Sequence, residues 1–198
     1  MLKQDILRTY EHLGGNKIQR VLGCVRTPGL QAVAIYRFGR WLSGKPLPVR
    51  FLLKPFLVIL FHRIRAAWGI ELNPEATIGE GFLIFHYGGI FIGSRVVIGK
   101  NCSVSHDVTI GLAGRGARRG APVIGDNAYI APGAKVSGRI RIGNNVKIGA
   151  NAVVERNVPD NALVQVRPPQ VVTFPGFYSQ ADHAGRGERL TGPPRDAV

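Results

Sequence analysis

Between Leu72 and Val154 aliphatic residues return at every sixth position in three blocks: Leu72, Ile78, Ile84; Ile92, Ile98, Val104, Ile110; and Ile124, Ile130, Val136, Ile142, Ile148, Val154. Four residues after most of them stands a second small or apolar residue, as at Ala76, Phe82, Val96, Cys102, Val108, Ala128, Ala134, Val146 and Ala152. Gly follows directly at Ile78, Ile92, Ile98, Ile110, Ile124, Ile142 and Ile148. An amphipathic helix repeats every 3.6 residues and a half-buried strand every 2, so a step of six fits neither. It fits short strands joined by tight turns and wound into a solenoid, with one aliphatic residue per face pointing to the axis. A β-sandwich of regular short strands needs a longer spacing than this.

The pattern predicts a mainly β protein, a left-handed parallel β-helix of hexapeptide repeats, in which three hexads make one triangular coil. The register slips twice: by two residues near Tyr87–Gly89, and by a longer excursion over 111–123, the candidate active-site loop. Residues 1–69 precede the repeat and are expected to form a small α-helical region, with helices over 2–13, about 28–43 and about 48–68. Pro28 and Pro48 suit the first turn of the latter two, and Pro55 is expected to kink the last. Residues 70–166 hold the repeat. The segment 167–198 is punctuated by Pro and Gly and reads as an extension with a mobile end.

The 198 residues carry a formal charge of +14, but Lys and Arg are scattered from Lys3 to Arg195 without the stripe or stacking aromatics of a nucleic-acid binder. No nucleic-acid partner is expected. Two cysteines, Cys24 and Cys102, make no disulfide framework or metal cluster. The first residues mix Lys3, Asp5 and Arg8 into their apolar positions and do not read as a signal peptide. A cytoplasmic protein is expected. The stretch 48–68 is apolar and basic; its longest uncharged run, Pro55 to His62, is far short of the roughly 20 residues of a membrane span. Peripheral contact with the inner face of a membrane through 48–68 suits it better.

Two of the five histidines, His86 and His106, lie inside the repeat, each at the third position of its hexad. Counting three hexads to a coil puts them on one face of adjacent coils, where strands stack about 4.8 Å apart. His86 also sits beside Gly88 and Gly89, where a backbone can approach a ligand closely.

The stretch IELNPEATIGEGFLIFHYGGIFIG resembles the serine acetyltransferase family, in which an acidic residue precedes a histidine by fifteen positions. The resemblance covers about residues 66–166. It implies that His86 is the catalytic base and that Glu71 takes the place of the orienting Asp. An alcohol attacks a thioester only as its proton is removed, which suits imidazole, and a carboxylate on the other ring nitrogen fixes the tautomer. The resemblance further implies acetyl-CoA as cosubstrate, in a groove lined by Pro132, Gly133 and Ala150 with Lys147 near the phosphates. It implies a homotrimer or dimer of trimers, and no metal.

Three positions depart from the family. Phe85 stands where an Asp precedes the histidine, and Gly120 and Ala121 replace an Arg-His pair before Pro122. Those polar groups help hold the zwitterion of serine, and a zwitterion in a partly buried site needs such partners. The acceptor is therefore expected to be a hydroxyl of a sugar or glycan precursor, with Phe85 and Tyr87 stacking on the ring and His106 and Arg119 nearby. SHDVTIG around His106 also looks like the serine-acetyltransferase-like enzymes of polysaccharide biosynthesis. The alternatives are serine O-acetylation feeding cysteine biosynthesis and, from another class, a non-catalytic or metal-binding β-helix scaffold resembling the γ-type carbonic anhydrases. Zinc would need three nitrogen ligands.

Overall fold

The computed structural model describes residues 1–116 and 119–167. Apart from Arg167, the extension expected over 167–198 lies outside the described residues. Four helices come first: α1 (Leu2–His12), α2 (Lys17–Arg26), α3 (Pro28–Ser43) and α4 (Leu47–Trp68). Short strands follow: β1 (Ile70–Leu72), β2 (Thr77–Ile78), β3 (Leu83–Ile84), β4 (Ile90–Ile92), β5 (Val97–Ile98), β6 (Ser103–Val104) and β7 (Thr109–Gly111). After the loop come β8 (Val123–Ile124), β9 (Tyr129–Ile130), β10 (Lys135–Ser137), β11 (Arg141–Ile142), β12 (Lys147–Ile148), β13 (Val153–Val154) and β14 (Leu163–Val164).

The strands stack in parallel into three sheets, the faces of a prism. The first holds β1-β4-β7-β10-β13, the second β2-β5-β8-β11 and the third β3-β6-β9-β12-β14. All thirteen positions of the six-residue register lie inside, none more than 4% exposed, and the second apolar positions are buried with them. The slips are absorbed at corners: Leu72 pairs with Ile92 across the first, and Ile98 with Ile124 across the second. Corner residues Asn101, Asp107, Asn127, Asn145, Asn151 and Asn161 adopt left-handed backbone, which short polar side chains tolerate best after glycine. Gly79 shows why glycine follows the aliphatic residue: a Cβ there would stand 2.4 Å from the Gly99 carbonyl oxygen of the next coil.

In a stacked coil, backbone groups pair with the coils above and below, so a terminal coil presents unpaired carbonyls and amides. The helices satisfy those of the first coil. Tyr36 Oη on α3 donates to the Ala76 carbonyl at 2.6 Å and accepts from the Ile78 N–H at 3.1 Å. Arg37 donates to the Ile78 and Gly79 carbonyls, and Arg8 on α1 to that of Gly81 and, in the second coil, to the Cys102 carbonyl that also accepts from Leu83. Asp5, fully buried, accepts from the Phe82 N–H at 2.9 Å and from Arg37 Nε at 2.9 Å.

The helical region holds one element more than expected. Helix α2 joins the three expected; its Asn16 and Gln19 form a reciprocal capping box at 2.9 and 3.0 Å. Gly23 in its middle obscures the apolar pattern, although a side chain there would run into Leu13. Helix α4 continues through Pro55 as one element. Among the described residues, no helix is long and apolar enough to cross a membrane.

Candidate active site

The corner where the third face turns into the first is one edge of the prism, and the successive coils place on it residues 85–89, 105–108, 131–134 and 149–152. Backbone bonds stitch these turns together: Asp107 N–H to the Gly88 carbonyl at 2.8 Å, Gly133 N–H to His106 at 3.1 Å, and Asn151 N–H to Pro132 at 2.9 Å. His86, His106, Pro132, Gly133 and Ala150 therefore share a single edge in coil order, although they come from four separate turns. Lys147 lies on β12 of the third face, the strand that leads into it.

His86 is exposed and His106 half-buried, with ring centroids 5.8 Å apart and planes at 72°. Buried Ser105 places its hydroxyl 3.5 Å from His106 Nδ1. Gly89 is required by the stacking itself: its φ is +64°, and a Cβ would stand 1.9 Å from Asp107 Oδ1. Gly88, at φ +107°, has open space where its Cβ would be, and there the backbone remains approachable. Lys135 donates its ammonium to the Asp107 carbonyl and adds positive charge to the edge.

Glu71 lies on β1 of the first face, paired in register with Phe91. Its Oε2 is 3.2 Å from Arg65 Nε of α4, and among the described residues its recorded partner is this guanidinium and not His86. To orient His86, the carboxylate has to use its other oxygen or give up Arg65.

Phe85 and Tyr87 are engaged by the fold. Phe85 takes His12 edge-on at 4.6 Å and Tyr129 at 5.7 Å, and Tyr87 meets Trp68 at 5.2 Å. Their flat sides are thus partly committed before any sugar arrives. His12, Tyr129, Trp68 and Arg65 are neighbours of the site that sequence reasoning missed. They join residues from 6 to 73 positions apart, and no local spacing signals such contacts.

The loop 111–123 leaves from a different edge, where the first face turns into the second. It is a short hairpin closed by Ala113 and Gly120, whose backbones bond in both directions at 3.0 and 3.1 Å. Arg119 is exposed within it, and Arg118 lies outside the described residues. A Cβ on Gly120 would stand 2.6 Å from Arg139 Cβ, so in this packing the loop has no room for a side chain there. One chain alone does not bring Arg119 onto the edge of His86.

Burial pushes the Cys102 thiol up to about 11, which keeps it protonated and inert as a nucleophile near neutral pH. Among the described residues no three His, Cys, Asp or Glu side chains converge as a metal site.

Residues 121–156 match the family described as bacterial transferase hexapeptide (six repeats). The serine acetyltransferase of Bacillus pumilus is 44% identical over 179 residues, 89% of this chain and 78% of the relative. That of Synechococcus elongatus is 37% identical over 158 residues, 79% of this chain but 62% of the relative, so the chain spans less than two thirds of that protein's length. Among solved structures, Neisseria gonorrhoeae serine acetyltransferase in complex with serine superposes with a TM-score of 0.69 at 30% identity, over 87% of this chain and 67% of that one. The hexapeptide match and this superposition make the prism a left-handed parallel β-helix preceded by helices.

Proposed function

Since the chain belongs to the serine acetyltransferase family, we propose that it transfers the acetyl group of acetyl-CoA to the side-chain hydroxyl of serine, with His86 as general base. The observation that carries this reading is the shared edge. An exposed imidazole stands at one end of a line of turns whose further members, Pro132, Gly133 and Ala150, are small enough to admit the pantetheine arm. Lys147, with Lys135 nearer the histidines, supplies cationic charge suited to phosphates.

His86 takes the hydroxyl proton as the acceptor oxygen bonds to the thioester carbonyl carbon, and returns it to the departing coenzyme A sulfur as the carbon–sulfur bond breaks. The ring must take and return a proton within one cycle, which the free ring nitrogen of an imidazole allows. The reading gives His106, adjacent to His86 and half-buried, a contact with the acceptor, and makes Glu71 a positioning residue once its carboxylate turns to the second ring nitrogen.

Serine here replaces the sugar or glycan precursor favoured by the sequence. The relatives set out above are serine acetyltransferases, one of them holding serine, and the aromatic rings expected to stack on a sugar are packed by His12, Tyr129 and Trp68. A second reading, an acceptor hydroxyl without a zwitterion, keeps one specific support: Gly120 is closed to the side chain that the family places there. A cytoplasmic setting and assembly into a trimer or dimer of trimers go with the main reading. A neighbour's loop, with its Arg119, would then meet the edge that the same chain's loop does not reach.

The test is thiol release from acetyl-CoA with serine and, separately, with sugars and nucleotide sugars, in the native chain and in His86→Ala. Release with serine that falls about 10²–10⁴-fold in His86→Ala is the expected result. Release with sugars alone would transfer the conclusion to the second reading, and release untouched by His86→Ala would remove the general base.

A further inference from the structure

We propose that α4 rests on an anionic lipid bilayer, its outer side seated at the level of the headgroups. The helix runs 22 residues and buries none of them. A helix apolar on all sides normally lies inside a protein; this one is covered on one side only. The 3.6-residue period turns Leu53, Leu57, Leu60, Ile64 and Trp68 toward α3, where they are half-buried. On the opposite side stand Phe51, 86% exposed, Leu52, 76%, and Ile59, 58%, with Phe56 at its border, 55%. Among the described residues nothing covers them.

Charge decides what does. From His12 to Ile70 the chain contains ten Lys and Arg residues and not one Asp or Glu. Two are held by carboxylates from outside that stretch, Arg37 by Asp5 and Arg65 by Glu71. On α4 itself Lys54 and Arg63 are exposed at the two borders of the apolar side. A second copy of this surface would set these cations against their own equivalents, a repulsive arrangement. A bilayer bearing anionic headgroups supplies both an apolar layer for the rings and negative charge for their rim. Because no described helix is apolar and long enough to cross, α4 lies along the surface.

The full-length chain is sedimented with vesicles of phosphatidylcholine alone and of phosphatidylcholine mixed with phosphatidylglycerol, at low and high salt. The expected result is binding to the anionic vesicles that falls with salt, and that Phe51→Asp with Phe56→Asp lowers at least about tenfold. Lys54→Glu with Arg63→Glu should lower it too. Both pairs of substitutions are exposed, so circular dichroism and thiol release without vesicles should be unchanged. Absence of binding, equal binding to neutral vesicles, or binding indifferent to either pair would overturn the proposal. So would a fall in oligomer mass by light scattering in Phe51→Asp with Phe56→Asp without loss of vesicle binding, which would assign the face to a second copy.

Discussion

In the prism the side chains of the six-residue register meet at the axis and come from every coil, whereas the helices add to a small apolar contact, Ala32 and Val33 of α3, a few polar groups that hold the first coil, Asp5, Arg8, Tyr36 and Arg37. The first arrangement is redundant. Each buried Ile adds about 1.5–3 kcal/mol of burial, and its neighbours above and below do the same. The second is concentrated: Asp5 and Arg37 form a buried pair whose remaining oxygens and nitrogens are used on the backbone of Ile78, Gly79 and Phe82. Such a pair adds less to stability than its Coulomb attraction suggests, because both charges leave water. Losing one partner, however, strands the other.

The comparison can therefore be broken first at Asp5. Asp5→Ala should lower unfolding stability by about 3–5 kcal/mol, measured by urea unfolding with tryptophan fluorescence, since Trp41 and Trp68 both belong to the helical region. A loss under about 1 kcal/mol would show that the pair is dispensable. Ile110→Ala, at a fully buried position in the prism, should cost about 2–5 kcal/mol. Circular dichroism of the β-helix should report that loss while the cap signal changes with it, because a cavity between stacked coils is shared by both neighbours. The smallest effect is expected at the outer side of α4. Leu52→Ser should move stability by no more than about 0.5 kcal/mol, and a larger loss in dilute solution would mean that this side is already covered.

The same contrast explains what could be read in advance. Every hexad makes the same demand, an aliphatic residue inward and a small one four places on, so the register announces itself thirteen times and each of those residues is buried. The two histidines follow from it, because counting hexads is counting faces. The cap has no repeat. Asp5 reaches 32 positions along the chain to Arg37 and 77 to Phe82, and a lone Asp in an N-terminal helix looks like any surface carboxylate. His12 was equally silent, although it closes against Phe85 beside the candidate base. The capping signature of α2 was present as Asn16 and Gln19, but Gly23 masked the helix that followed. At Glu71 the fifteen-residue spacing was legible, whereas its hold by Arg65 depends on where α4 ends.

Pairing resumes in step on both sides of each irregular corner, Ile70 with Ile90 and Leu72 with Ile92 around the first, Ile98 with Ile124 and Val104 with Ile130 around the second. A solenoid of this kind keeps its timing whatever length of chain is inserted between two beats. The corners are thus open to evolutionary tinkering that the walls do not feel, and a lineage can exchange the hairpin between Gly111 and Val123 for another without renegotiating the rest of the molecule. Change at such a corner rewrites about a dozen positions and leaves the ladder beneath untouched.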